Sequence, residues 1–223
     1  MKTIRAWFGA VLAAAAMAGC GGGGYSGNSP MPMQNLQSAN APSQPMTLAS
    51  TTLSTTYGGS NYSLTVSDAP GAMTMFNGQM AATDVLTLGL SQNGTAVSTE
   101  TTTDYYLTSP YSPLGFSGTS NGVAWTATVT TFTPLPATLT VGSSGTLIAA
   151  TYKDATGNVI GSLTETYTVT ADSPTAVFLN VSGVGTLNGT TATDMLTYSV
   201  TSTGVIALVE AQVTVNGVTL TFK

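Results

Sequence analysis

From about Ser60 to the C-terminus, apolar side chains recur at every second position, and the breaks between runs fall on Gly, Asn, Asp and Pro. A period of two puts one face of each run against a core and the other toward water, so the pattern predicts half-buried strands. Tyr62, Leu64 and Val66 open the series, and Ser67 to Gly71 reads as a turn around Asp68 and Pro70. Met73, Met75 and Phe76 predict a short strand that ends at Asn77-Gly78. Leu86, Leu88 and Leu90 share one face of a longer strand that runs into Asn93-Gly94. Asn-Gly tolerates the positive φ that a two-residue hairpin turn requires. The threonine-rich return strand ends at Tyr105-Tyr106-Leu107.

Ser109 to Gly122 holds Pro110, Pro113 and three glycines. Two prolines this close do not suit a central strand, so the segment is expected to be irregular and a natural place for a site. Val123, Trp125, Ala127 and Val129 then alternate with small polar residues until Pro134 and Pro136 stop the run. Leu139 to Gly145 reads as a connector, and Thr146 to Tyr152 is expected to pair with Asn158 to Thr170 through the turn at 153–157. Ala176 to Val181, a Gly-rich bend at 183–189 and Met195 to Val200 follow. The last segment is the most sharply specified. A two-residue turn at Asn216-Gly217 sets Val215 opposite Val218, Val213 opposite Leu220 and Ala211 opposite Phe222. Ten or eleven such strands predict an all-β fold, an antiparallel β-sandwich or open barrel-like sheet spanning 48–223. It is either one unit or two joined near 134–136, and its length suits one.

The N-terminus follows different rules. Lys2 and Arg5 precede the apolar run Ala6 to Ala18, and its 13 residues fall short of the roughly 20 that span a bilayer. Residues 1–19 therefore read as an export signal. Met17-Ala18-Gly19-Cys20 resembles the lipobox of bacterial lipoproteins, with Met17 where leucine is usual. The resemblance implies cleavage before Cys20 and acylation of its thiol and new amine, and two or more chains hold a protein stably on a membrane. The competing expectation is ordinary secretion, with a cut after Ala18 and a free thiol. Gly21, in place of aspartate after the cysteine, implies the outer membrane by the same resemblance. Residues 20–47 read as the acylated cysteine and a flexible, disordered linker of Gly, Ser, Asn, Gln and Pro.

Beyond the lipobox, the glycine tail after Cys20, Tyr105-Tyr106-Leu107, Leu135-Pro136-Ala137-Thr138, Gly145-Thr146-Leu147 and the closing Val215-Asn216-Gly217 with Leu220-Thr221-Phe222 form a further likeness. On these residues the chain resembles a set of uncharacterised beta-proteobacterial lipoproteins. That implies a bacterial, membrane-tethered protein and brings no catalytic residues with it.

Charge narrows the partners. Past the leader only Lys153 and Lys223 stand against nine acidic residues, a composition that offers nucleic acid and anionic lipid no basic patch. The 42 threonines favour strands and supply solubility through hydroxyls. The single cysteine allows no intrachain disulfide. No histidine is present, which removes the usual general base, Ser-His and Cys-His nucleophiles and histidine-ligated zinc.

Carboxylate pairs remain: Glu100 and Asp104 share a strand face, and Asp154, Glu165, Asp172 and Asp194 gather only if the fold collects them. Asp154 and Asn158 offer oxygens for calcium in a tight turn, although the full twelve-position loop is missing and a plain hairpin turn is favoured. Tyr106, Tyr111 and Phe116 are the one group with the makings of a ligand platform, unless they simply fill the core. The expectation is thus a non-enzymatic, membrane-anchored envelope lipoprotein without a cofactor, binding or spacing an envelope protein or glycan. A carrier of a small hydrophobic ligand or glycan is the alternative, and a carboxylate-dependent hydrolase the weaker one.

Overall fold

Alternation fixes which way each strand faces, and here it closes a sheet on itself. The computed structural model describes residues 38–41, 50–120, 123–215 and 218–223. Among them fifteen strands form: β1 (Ser38–Asn40), β2 (Thr51–Tyr57), β3 (Ser60–Pro70), β4 (Thr74–Phe76), β5 (Gln79–Gln92), β6 (Thr95–Thr108), β7 (Tyr111–Ser120) and β8 (Val123–Phe132) in the first part. After them come β9 (Thr138–Thr140), β10 (Ser144–Asp154), β11 (Val159–Ser173), β12 (Ala176–Leu187), β13 (Thr190–Thr201), β14 (Ile206–Val215) and β15 (Val218–Phe222). The main sheet runs β15-β14-β13-β12-β11-β10-β8-β7-β6-β5-β3-β2, antiparallel throughout, with β4 added to β5. Its outer strands meet: the Ser54 amide donates to the Lys223 carbonyl at 2.9 Å and the Lys223 amide returns the bond at 3.0 Å. The result is a nearly closed barrel of twelve strands that continues across 134–136 through the pairing of β8 with β10.

The polarity is apolar inside and hydroxyl outside. On β11, Leu163, Tyr167 and Val169 are buried while Thr164, Thr166, Thr168 and Thr170 are exposed. Interior side chains from eleven of the twelve strands pack into one cluster that includes Leu64, Leu86, Phe116, Tyr152, Leu179 and Phe222, and Val97 of β6 packs against it. Cross-strand hydroxyl pairs line the outside, as between Thr214 and Thr219 at 2.8 Å. β1 and β9 form a separate ribbon, Ala39 opposite Leu139, and both of these side chains belong to the core cluster. The ribbon plugs the end of the barrel beside the β13–β14 turn, where Asn40 N approaches the Ser202 carbonyl at 3.5 Å.

The register expected for β14 and β15 is the one observed, and the β10–β11 hairpin also forms as expected. Asn93-Gly94 turns with φ of 51° and 79°. Four expectations are corrected. Ser109 to Gly122 is no irregular loop, because β7 occupies most of it; Pro110 lies in the turn, and Pro113 sits opposite Tyr106 where a bulge interrupts the ladder. Asp68 and Pro70 belong to β3, not to a turn. β12 passes straight through Gly183 and Gly185, and the chain turns at Asn188-Gly189 instead. Ser38–Asn40, inside the stretch read as linker, is the plug strand. Val209 forms a bulge opposite Thr197–Tyr198, and Leu208 before it is buried. Residues 1–19, read as an export signal, together with Cys20 and residues 21–37, lie outside the described residues.

Phe222 is fully buried at the seam, so Phe222→Ala is expected to cost about 3–5 kcal/mol. Thr166→Ala on the exposed face of β11 is expected to stay within about 0.5 kcal/mol. Urea unfolding of both variants checks the assignment of inside and outside.

Candidate functional site

Acidic side chains occupy core positions of the alternating pattern, and the barrel turns them inward. Asp84 on β5 stands directly opposite Asp104 on β6, and Asp68 on β3 is one step along the diagonal. Across the barrel, Glu165 on β11 and Asp194 on β13 are both register partners of Gly183 on β12. Because Gly183 has no side chain, the two carboxyls face each other over bare backbone. Between these groups stand Phe116, Trp125 and Tyr152, packed edge to face with centroids 5.3–6.3 Å apart. Glu100 shares the inward face of β6 nearer the other end, opposite Leu88.

Burial decides the protonation of this set. It pushes the Asp194 carboxyl up to about 8, an effect that the nearby amides of Gly183 and Asp194, short of hydrogen-bond geometry, offset only in part. Glu165 is raised well above the usual carboxylate range by burial and then by the charges of Asp194 and Asp104. Asp104 is raised in the same way, by burial first and by Asp68 and Asp84 second. Asp84 is raised less, since the Tyr106 hydroxyl donates to it; burial and that bond push Tyr106 up to about 12. Both oxygens of Glu165 and of Asp194, one oxygen of Asp104 and the Trp125 indole N–H lack a hydrogen-bond partner. Among the described residues the cations are Lys153, which is exposed, and Lys223, which pairs with Glu210 at 2.9 Å outside the barrel. Among the described residues no positive charge offsets the interior acids, so burial favours the neutral form of Asp104, Glu165 and Asp194.

The aromatic residues singled out from the sequence are placed inside. Tyr106 and Phe116 are buried; Tyr111 is half-buried, 5.6 Å from Tyr106 and 5.8 Å from Phe132 between ring centroids. Tyr106 and Tyr111 thus meet, as a platform would need, but they close the barrel end above Asp84 and Asp104. Asp154 accepts hydrogen bonds from the Thr156 amide and hydroxyl, the Asn158 amide and the Asn158 side chain. These donors, the Thr156 hydroxyl foremost, hold its carboxyl at about 2, and they occupy the oxygens that a calcium ion needs. Among the described residues no three His, Cys, Asp or Glu side chains are placed to hold a metal ion. Asp172 accepts from Ser199 at 2.6 Å.

One concave feature lies on the outer wall. The hairpin of β4 with the start of β5 folds back over β6 to β8, stacking Phe76 on Tyr105 at 4.3 Å between centroids and sending Asn77 to the Thr128 hydroxyl at 3.3 Å. Gly115 makes that approach possible: a Cβ there would meet the Phe76 ring at 2.6 Å. Between hairpin and wall opens a cleft of about 470 Å³, lined by Phe76, Gln79, Pro113, Leu114, Thr130 and Phe132 among others. Nothing in the local pattern announces it, because it is made by a hairpin crossing strands β6 to β8, which lie well beyond it in sequence.

The interior acids did leave a trace in the sequence. Glu165 falls in phase with Leu163, Tyr167 and Val169, and Asp194 with Ala192, Leu196 and Tyr198. A comparison with known proteins gives no match to a protein-family model, to a curated protein or to a solved structure.

A carboxyl raised in the folded state keeps a proton that the unfolded chain has released. Stability is therefore fullest below about pH 4 and falls as pH rises toward 8, by up to about 1.4 kcal/mol per pH unit for each such group. Urea midpoints between pH 5 and 8 are expected to decline steadily, and Asp194→Asn to flatten the decline. A midpoint that climbs with pH over this range contradicts the protonated interior.

Proposed function

We propose that this chain is a non-enzymatic, membrane-anchored envelope lipoprotein of bacterial origin, in which acylated Cys20 holds a plugged barrel beside the outer membrane. The observation that carries the proposal is the polarity of the wall. A barrel that spans a bilayer turns an apolar band outward, whereas β11 presents Thr164, Thr166, Thr168 and Thr170. Such a wall belongs in water, so residence at a membrane falls to the lipobox-like Met17 to Cys20. Residues 21–37 are the leash in this proposal, and a Gly-rich coil of 17 residues has an r.m.s. span of about 20–25 Å. That length keeps the barrel close to the headgroups.

The interior supports a spacer or docking role over chemistry. Its carboxyls come together under Tyr106 and Tyr111 or around fully enclosed Glu165, where no water and sugar fit between them as glycoside hydrolysis requires. The barrel's own apolar space is filled by its core cluster and its β1–β9 plug, which weighs against cargo carried inside. A second reading, binding of a small hydrophobic ligand or glycan, is favoured by the outer cleft, whose size lies within the range of small-molecule sites.

Metabolic labelling with a fatty-acid analogue tests the anchor. The parent is expected to carry label and sediment with membranes, and Cys20→Ser to lose the label and appear as folded protein in the soluble fraction. An unlabelled parent that is already soluble overturns the proposal.

A further inference from the structure

Three of the four described methionines, Met73, Met75 and Met80, lie on the β4–β5 hairpin, and all three are exposed: 67 %, 58 % and 54 %. The register sets Met75 directly opposite Met80 on one face of the hairpin, and Met73 stands just ahead of β4, two positions before Met75. The other face holds Phe76 and Ala81, both buried. Packing therefore accounts for the inner face and leaves the thioethers without a role in the core. Directly opposed residues have Cβ atoms about 4.5–5.5 Å apart, and three rotatable bonds give each methionine sulfur the reach to meet its neighbours above the hairpin. The backbone beneath them is held in place. Gly71 N donates to the Thr83 carbonyl at 2.7 Å, the Thr83 hydroxyl donates to the Ala72 carbonyl at 2.8 Å, and Phe76 and Asn77 pin the turn to the barrel wall.

We propose that Met73, Met75 and Met80 form a three-thioether binding site for a soft monovalent metal ion, Cu(I) or its analogue Ag(I). Neutral sulfur ligands select Cu(I) over hard cations, which take oxygen. No histidine exists anywhere in the chain to recruit Zn(II) or Cu(II) to the same place. A monovalent ion on three uncharged ligands leaves one positive charge at a solvent-exposed surface, where water screens it without a buried counter-ion. Binding needs no electron transfer and no proton release, since a thioether has no proton to lose. The site is separate from the interior acids and from the outer-wall cleft.

The test is anaerobic competition for Cu(I) between the full chain in detergent and a chromophoric chelator, with ¹³C-methyl methionine NMR under Ag(I). One equivalent of metal is expected to leave the chelator, and the methyl signals of Met73, Met75 and Met80 are expected to shift while that of Met195 stays. Met73→Leu, Met75→Leu and Met80→Leu are each expected to weaken binding at least tenfold, and the triple variant to abolish it with an unchanged circular dichroism spectrum. The combined Met31→Leu, Met33→Leu, Met46→Leu variant is expected to bind as the parent does. Failure of the parent to compete with the chelator, or full binding by the Met73/Met75/Met80 triple variant, overturns the proposal.

Discussion

The main-chain bonds between Ser54 and Lys223 join the first and last strands of the wall, and the remaining features depend on that seam. An open sheet of twelve strands exposes two edges and leaves each inward row of side chains half covered. Closing it gives the apolar row of every strand the rows of the other strands as its partners. Side chains then divide mainly by parity, most of the Leu, Val, Tyr and Phe inside and most of the Thr and Ser outside. The short β1–β9 ribbon completes the seal at one end with Ala39 and Leu139. The stability of the wall thus rests on non-local contacts between the two ends of the chain, with no disulfide to assist.

Sealing also sets the chemistry. Asp104, Glu165 and Asp194 occupy positions that parity assigns to the inside, so closure takes them out of water along with the leucines around them. A carboxylate in that setting costs several kcal/mol to keep ionised without a cation, and the neutral acid is the cheaper form. Each is a buried group with at least one oxygen that the protein does not satisfy, placed at some expense in the centre of an apolar core. The same wall carries the contrasting case of Asp154, whose turn supplies its own donors and which remains ionised.

How much was legible in the sequence varied from element to element for physical reasons. The β14–β15 register could be read because the alternation is unbroken and a two-residue turn admits a single pairing. β7 was hidden by Pro110 and Pro113, whose missing amides argue against a central strand until a turn and a bulge absorb them. β12 was hidden by Gly183 and Gly185, which read as a bend but serve as bare backbone on the inner face, one of them beneath Glu165 and Asp194. β1 could not be seen because three residues, Ser38–Asn40, carry no period; their pairing with Thr138–Thr140 is a tertiary event. Tyr106, Tyr111 and Phe116 lie on β6 and β7, but which face of a strand turns inward depends on bulges, and the β6–β7 bulge next to Tyr106 is set by the neighbouring strand.

The closed wall is tested most directly at its seam. Nuclear Overhauser contacts and amide exchange of Ser54 and Lys223 are the decisive measurement. A sealed barrel gives a cross-strand contact between these two residues and exchange of the Ser54 amide as slow as that of the central strands. Absence of the contact, together with exchange of both amides within seconds, means an open sheet and removes the basis for an enclosed acidic interior.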